Sequence, residues 1–192
     1  FNPITKFYAV FEKDQMDLDF QHKFDSVKVV MEELPKIQGV VVEKLMMEDD
    51  IWFLSIRDTI NQMNMNNAHG KFYEEINQFL ILNELDVSEP PLVIYHSWSD
   101  TLVDIEVGVS VGDSLVLGNA RIKMSKIEKS NVVTAIHYGA YERLPETYFG
   151  INEWMRSHRV VVKGPPWEVY LTDPSIESNP KKWKTAIFFP VK

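Results

Sequence analysis

The chain carries one pattern twice. The segment Lys71-Phe-Tyr-Glu-Glu-Ile-Asn-Gln-Phe-Leu80 resembles Glu146-Thr-Tyr-Phe-Gly-Ile-Asn-Glu-Trp-Met155. Tyr73 matches Tyr148, Ile76 matches Ile151, Asn77 matches Asn152 and Phe79 takes the place of Trp154, all at the separation of 75 residues that divides Tyr73 from Tyr148. The same separation carries Pro90-Pro91 onto Pro165-Pro166 and Tyr95 onto Tyr170. Composition alone produces isolated identities, not an unbroken run through two kinds of local pattern. A chain built this way folds as two like units that share a core.

Each copy reads as strand, helix, strand, strand. In the first, Ile51–Thr59 is strand-like, Phe72–Leu85 is helical, and Leu92–Trp98 and Val103–Val111 alternate apolar positions as strands do. In the second the same places fall to Asn131–Tyr138, Thr147–Ser157, Trp167–Leu171 and Thr185–Val191. Gly39–Leu45 and Ala120–Ile127 add a leading strand to each copy. The Pro-Pro pairs donate no ladder hydrogen bond, so they mark where a strand begins. The expected class is α+β: an antiparallel sheet with two helices on one face around a pseudo-twofold pocket. The copies cover residues 37–111 and 118–192, which together form one domain of residues 37–192.

Residues 1–36 read differently. Phe20, Phe24, Val27, Met31 and Leu34 recur at helical spacing, with Asp17 or Asp19 to cap the helix and Pro35 to stop it. A single amphipathic helix cannot bury its own stripe. It is expected to dock on the rest of the chain, on an upstream domain, or on a second copy; only in the last case do residues 16–34 form a homodimer surface. The chain opens at Phe1 without a methionine, so a truncated or processed form is expected.

Charge and composition narrow the function. The formal net charge of −8 repels phosphate backbones, so direct nucleic-acid binding is not expected, and neutral or cationic ligands are favoured over anionic ones. With no cysteine there is no disulfide, thiolate nucleophile or Cys-ligated metal. No apolar run reaches the length of a membrane helix and no signal peptide is seen, so a cytoplasmic protein is expected. His96 and His137 end strand-like runs, but no HExxH or tight His/Asp pair accompanies them, so neither metal nor another cofactor is expected. Ser97 and Ser99 lack a G-x-S-x-G elbow, and there is no phosphate-binding glycine loop.

One set of residues stands out. Period two puts Glu168 and Tyr170 on one face of a strand and Trp167 and Val169 on the other, and leaves open which face meets a pocket. Glu168 is otherwise an ordinary strand glutamate. Set among aromatic rings it would be desolvated, its pKa would rise, and it would either bind a cation or act as an acid. Tyr95 and Tyr170 are repeat-equivalent and should lie near the pseudo-twofold, as pocket groups or as core. Phe79 and Trp154 occupy equivalent helix positions that suit a core or a pocket wall.

The run Gly139-Ala-Tyr141-Glu-Arg-Leu, then Trp154, then Gly164-Pro-Pro-Trp-Glu168-Val-Tyr170-Leu-Thr-Asp173-Pro174, then Phe189-Pro190-Val191, resembles the GyrI-like family. That family includes the effector-binding domains of multidrug-responsive transcription activators and free-standing relatives. The resemblance covers residues 38–192 and is stronger in the second copy. It departs at Thr185-Ala186-Ile187, where the family has a glutamate in the middle, and at Val93, where the second copy has Glu168.

The resemblance implies a pocket between the two helices, floored by the sheet, with Glu168 and Tyr170 inside and Tyr141 near the ligand; Tyr95, Trp154, Phe79 and His137 are further candidates to line it. It implies a small-molecule ligand that is hydrophobic or cationic, as some relatives bind cationic aromatic drugs. Some relatives are described instead as hydrolases of strained cyclopropane compounds, which would make Glu168 the acid/base and Tyr170 or Tyr141 its partner. A related duplicated fold includes haem proteins, but no histidine here sits where an axial ligand would be expected. Asp19-Phe20-Gln-His-Lys-Phe24-Asp-Ser-Val27-Lys more weakly resembles the last helix of polyketide-cyclase/START-type domains.

Overall fold

The structure is a computed structural model that describes residues 40–111 and 118–192. The expected helix at 16–34, its homodimer role and its START-type resemblance lie outside these residues. The described chain contains β1 (Val42–Met46), β2 (Ile51–Asn61), α1 (Met65–Leu82), β3 (Leu92–Trp98), β4 (Leu102–Ser110), β5 (Lys123–Ile127), β6 (Asn131–Tyr138), α2 (Leu144–Ser157), β7 (Trp167–Tyr170) and β8 (Lys184–Pro190). The strands form one eight-stranded sheet in the order β1-β6-β8-β7-β3-β4-β2-β5, with every pairing antiparallel.

The repeat becomes a geometric symmetry. The central pair β3–β7 matches Leu92 to Val169, Val93 to Glu168 and Ile94 to Trp167, so repeat-equivalent Val93 and Glu168 face each other. Two equivalent backbone bonds flank them, Tyr95 N–H to Pro166 C=O and Tyr170 N–H to Pro91 C=O, each 3.0 Å. The Pro-Pro pairs thus begin the two central strands as expected, and supply acceptors rather than donors.

The leading strands cross over. β1 of the first copy pairs with β6 of the second, and β5 of the second pairs with β2 of the first. The sequence shows the leading strands but not this exchange, which ties each copy to the other's edge.

α1 begins two turns earlier than its pattern suggests, because the buried stripe His69, Phe72, Tyr73, Ile76 and Leu80 extends back past Phe72. It ends at Leu82, where Asn83 N–H bonds back into the last turn and Glu84 takes a left-handed φ of 53°. α2 begins at Leu144 with Pro145 in its first turn, where a missing N–H costs nothing.

α1 rests on β2 and β4, and α2 on β6 and β1. The core under α1 gathers Leu54, Ile56, Ile76, Val103 and Ile105; the core under α2 gathers Val42, Val133, Ile151, Trp154 and Ile187. The central strands β3 and β7 lie between the two helices. A third apolar cluster, on the other face, includes Phe53, Leu92, Trp167 and Phe188. There Phe188 stacks on Trp167 with ring centroids 5.2 Å apart. The place equivalent to Phe188 in the first copy is Gly108, where a Cβ would come within 2.4 Å of the Phe53 ring. The glycine is what lets Phe53 fill that space.

Candidate functional site

Glu168 lies on the helix face at the centre of the sheet and is 2% exposed. Three tyrosines donate to it from three elements. Tyr148 Oη of α2 is 2.7 Å from Oε1, Tyr170 Oη of β7 is 2.8 Å from Oε2, and Tyr95 Oη of β3 is 3.3 Å from Oε2. Among the described residues no lysine, arginine or histidine forms an ion pair with it.

Burial pushes the Glu168 carboxyl above its ordinary value, and the three hydroxyl bonds, which pull it down, do not cancel that push. Burial and the facing carboxylate push the hydroxyls of Tyr148, Tyr95 and Tyr170 well up, so they stay protonated and stay donors. The site is a desolvated acid held by neutral donors, with no counter-charge supplied among the described residues.

Aromatic rings extend from this centre on both sides. Tyr141 meets Tyr170 edge-on at 5.6 Å and lies tilted against Trp183 at 5.0 Å. Gly139, at φ 133°, makes the turn that aims Tyr141 there, and its N–H donates to Trp183 C=O at 3.0 Å. On the other side the Tyr95 ring is 5.8 Å from that of Trp98. Asp173 shapes the loop before Trp183 by accepting from Ser175 N–H and Oγ at 2.7 and 2.6 Å.

The first copy shows what the same framework does without the acid. Tyr73, equivalent to Tyr148, donates instead to Leu92 C=O at 2.9 Å, and Val93 occupies the place of the carboxylate.

Of the residues read from sequence, Glu168, Tyr170, Tyr95 and Tyr141 come together. Two others have different neighbours, while Phe79 packs against the cluster that also holds Tyr170, Tyr95 and Tyr141. Trp154 is buried in the α2 core and stacks on His158 at 4.0 Å. His137 holds the start of α2: its Nδ1 is 2.8 Å from Thr147 Oγ1, and its Nε2 is 3.0 Å from Ala140 C=O, which it must face as donor. Both of its ring nitrogens are thus engaged in fixing the turn that carries Tyr141.

Sequence reasoning did not single out Tyr148, which bonds to Glu168, or Trp98 and Trp183, whose rings meet those of Tyr95 and Tyr141. A tyrosine inside the apolar stripe of α2 was the available signal for Tyr148; nothing local marks Trp98 or Trp183. Among the described residues no group of three or more His, Asp or Glu side chains is placed to hold a metal ion, and no helix is long and apolar enough to cross a membrane.

A pseudo-twofold α+β scaffold whose helix face buries an acid without a counter-charge, flanked by aromatic rings, suits a small-molecule-binding domain. The chain belongs to the GyrI-like family, for residues 51–192 match the model of the GyrI-like small molecule binding domain. No curated protein sequence matches significantly.

Among solved structures, the fold is similar to EcmrR in its DNA and open-promoter complex: TM-score 0.71, 20% identity, 92% of this chain and 63% of that one. This chain thus spans under two thirds of that protein's length. The EcmrR C-terminal domain aligns with TM-score 0.64 and 19% identity over 80% of this chain and 96% of that one. A hydrolase from Listeria innocua aligns with TM-score 0.58 and 17% identity over 91% and 98%. At these identities the likeness concerns the fold. The role the family assigns is ligand binding.

Proposed function

We propose that the chain binds a hydrophobic cation between its two repeats, with the charge against Glu168 and the apolar body against the flanking rings. The observation that carries this reading is the buried Glu168 with three hydroxyl donors and no cation from the described chain. Such a carboxylate costs free energy in the empty site. A cationic ligand supplies the missing charge, and an aromatic wall adds cation–π attraction.

The test is calorimetric titration of wild type and Glu168→Gln with tetraphenylphosphonium. Glu168→Gln keeps the shape and removes the charge, and a loss of at least about tenfold in affinity is expected. Full affinity in the variant would remove charge recognition from the account. Binding should also strengthen as pH rises through the raised Glu168 value, because the cation selects the ionised form.

A second reading is hydrolysis of a strained or electrophilic small molecule, with Glu168 as acid/base and Tyr170 or Tyr141 beside it. The upward push on the Glu168 carboxyl favours it, since a carboxyl that holds its proton to higher pH than usual is better placed to donate it to a leaving group. Mass-spectrometric assay of a cyclopropane-bearing electrophile decides: turnover abolished in Glu168→Gln supports it, and no turnover by wild type removes it.

A further inference from the structure

On the helix face, β4 presents Val103 and Ile105, both in the α1 core. Tyr95 pairs with Ile105 and so shares that face. Strict alternation would then send Trp98, three residues on, to the opposite face. It does not, because the β3–β4 register shifts between Tyr95 and Ser97. Ser97 pairs with Asp104 and Trp98 with Val103, so His96 is the extra residue of a β-bulge. A bulge re-aims the side chains beyond it. Here it returns Trp98 to the helix face, where its ring meets Tyr95 at 5.8 Å while the residue stays 53% exposed.

The bulge is fastened from behind. His96 Nε2 donates to Glu106 Oε2 at 2.8 Å, and Ser55 Oγ donates to Glu106 Oε1 at 2.6 Å. Ser125 Oγ supports Ser55 at 2.9 Å. The second copy lacks this device: its places for His96 and Glu106 hold Leu171 and Ala186, and β7–β8 pair without a shift.

We infer that Trp98 is a specificity-determining wall of the pocket, contacting the aromatic ring of a ligand whose charge meets Glu168, and that His96 and Glu106 position it by holding the bulge. The inference rests on the cation-binding reading above. An exposed indole beside Tyr95, itself bonded to Glu168, puts a second ring one step outward from the charge site. Aromatic cations gain from that surface and aliphatic cations gain less. His96 and Glu106 touch no ligand; they are positioning residues.

The experiment titrates tetraphenylphosphonium and tetrapropylammonium into wild type, Trp98→Ala, Trp98→Phe, His96→Ala, His96→Gln and Glu168→Gln. Trp98 is surface-exposed, so its variants should fold as wild type does. Trp98→Ala should lose about tenfold for tetraphenylphosphonium and under about threefold for tetrapropylammonium, with Trp98→Phe close to wild type. His96→Ala should show the same selective loss in part, and His96→Gln, which keeps a donor for Glu106, should restore it.

Equal affinities of wild type and Trp98→Ala for the aromatic cation, with Glu168→Gln weakening both cations, would overturn the role of Trp98 and leave the charge site standing. A selective loss in Trp98→Ala with none in His96→Ala would overturn the bulge as the positioning device. Binding of neither cation by wild type would overturn the cation-binding reading, and the Trp98 wall with it.

Discussion

Among the described strands, the buried acid of the second repeat is Glu168, on the helix face, and that of the first is Glu106, on the opposite face. Neither has an acidic twin. Val93 stands opposite Glu168, and Ala186 holds the place equivalent to Glu106. Both acids accept hydroxyl bonds, yet they shift in opposite directions. Burial pushes Glu106 up too, but the bonds from Ser125, Ser55 and His96, together with the nearby His96 ring, outweigh it and hold the carboxyl below its ordinary value. Glu168 has only tyrosine hydroxyls, and burial wins.

The difference separates two uses of a buried acid. Glu106 is satisfied within the chain and serves the architecture. Glu168 is hydrogen-bonded but has no counter-charge among the described residues, and the proposed cation site rests on that difference.

The largest effect should come from erasing the asymmetry. Val93→Glu puts two carboxylates face to face across β3–β7 and should cost about 3–5 kcal/mol at neutral pH, as an uncompensated buried charge does. Urea unfolding checks it, and the cost should shrink in acid as one carboxyl protonates. An unchanged midpoint would mean the central pair is wetter than its burial implies.

Core truncation comes next. Ile76→Ala and Ile151→Ala delete repeat-equivalent side chains, both 0% exposed, and each should cost about 2–5 kcal/mol. Similar losses from the two variants would mean that the scaffold is symmetric in stability as well as in shape; a large gap would assign the folding core to one copy.

The two acids should then respond with opposite signs. The Glu168 carboxyl sits above its ordinary 4.5 in the folded chain. The folded chain therefore keeps a proton there that the unfolded chain releases. Its contribution is fully present below 4.5 and is lost as pH rises through the folded value. Glu106 sits below 4.5, so its contribution is present above 4.5 and lost as pH falls through the folded value. At neutral pH Glu168→Gln should stabilise the empty protein and Glu106→Gln should destabilise it, each by about 1–3 kcal/mol. Thermal melts across pH check both; the same sign for both would break the contrast.

The smallest effect separates the equivalent tyrosines. Tyr73→Phe loses one bond to a backbone carbonyl and should cost about 0.5–1.5 kcal/mol without changing cation affinity. Tyr148→Phe removes a donor from Glu168, so the carboxyl should move further up and the pH at which cation binding sets in should rise with it.

By itself the sequence determined the duplication, the α+β class, the strand and helix order and the acid with its equivalent tyrosines. These follow from local periodicity and from residue identity at a constant separation, and both survive without knowledge of what packs on what. Residue identity along the family's run pointed to Glu168, Tyr170 and Tyr141, and the constant separation added Tyr95 as the equivalent of Tyr170.

Only the tertiary structure decided the rest. The exchange of leading strands depends on which edges meet, and no single strand encodes its partner. Tyr148 joined the site because α2 sets it over Glu168. Trp98 reached the helix face of the sheet because one extra residue at His96 reversed the alternation by which faces are read from sequence. His137 bonded within the chain at the start of α2 because a turn brought Thr147 and Ala140 to its two nitrogens. And the two acids, alike in the sequence, took opposite shifts because protonation answers to burial and to the partners that folding supplies.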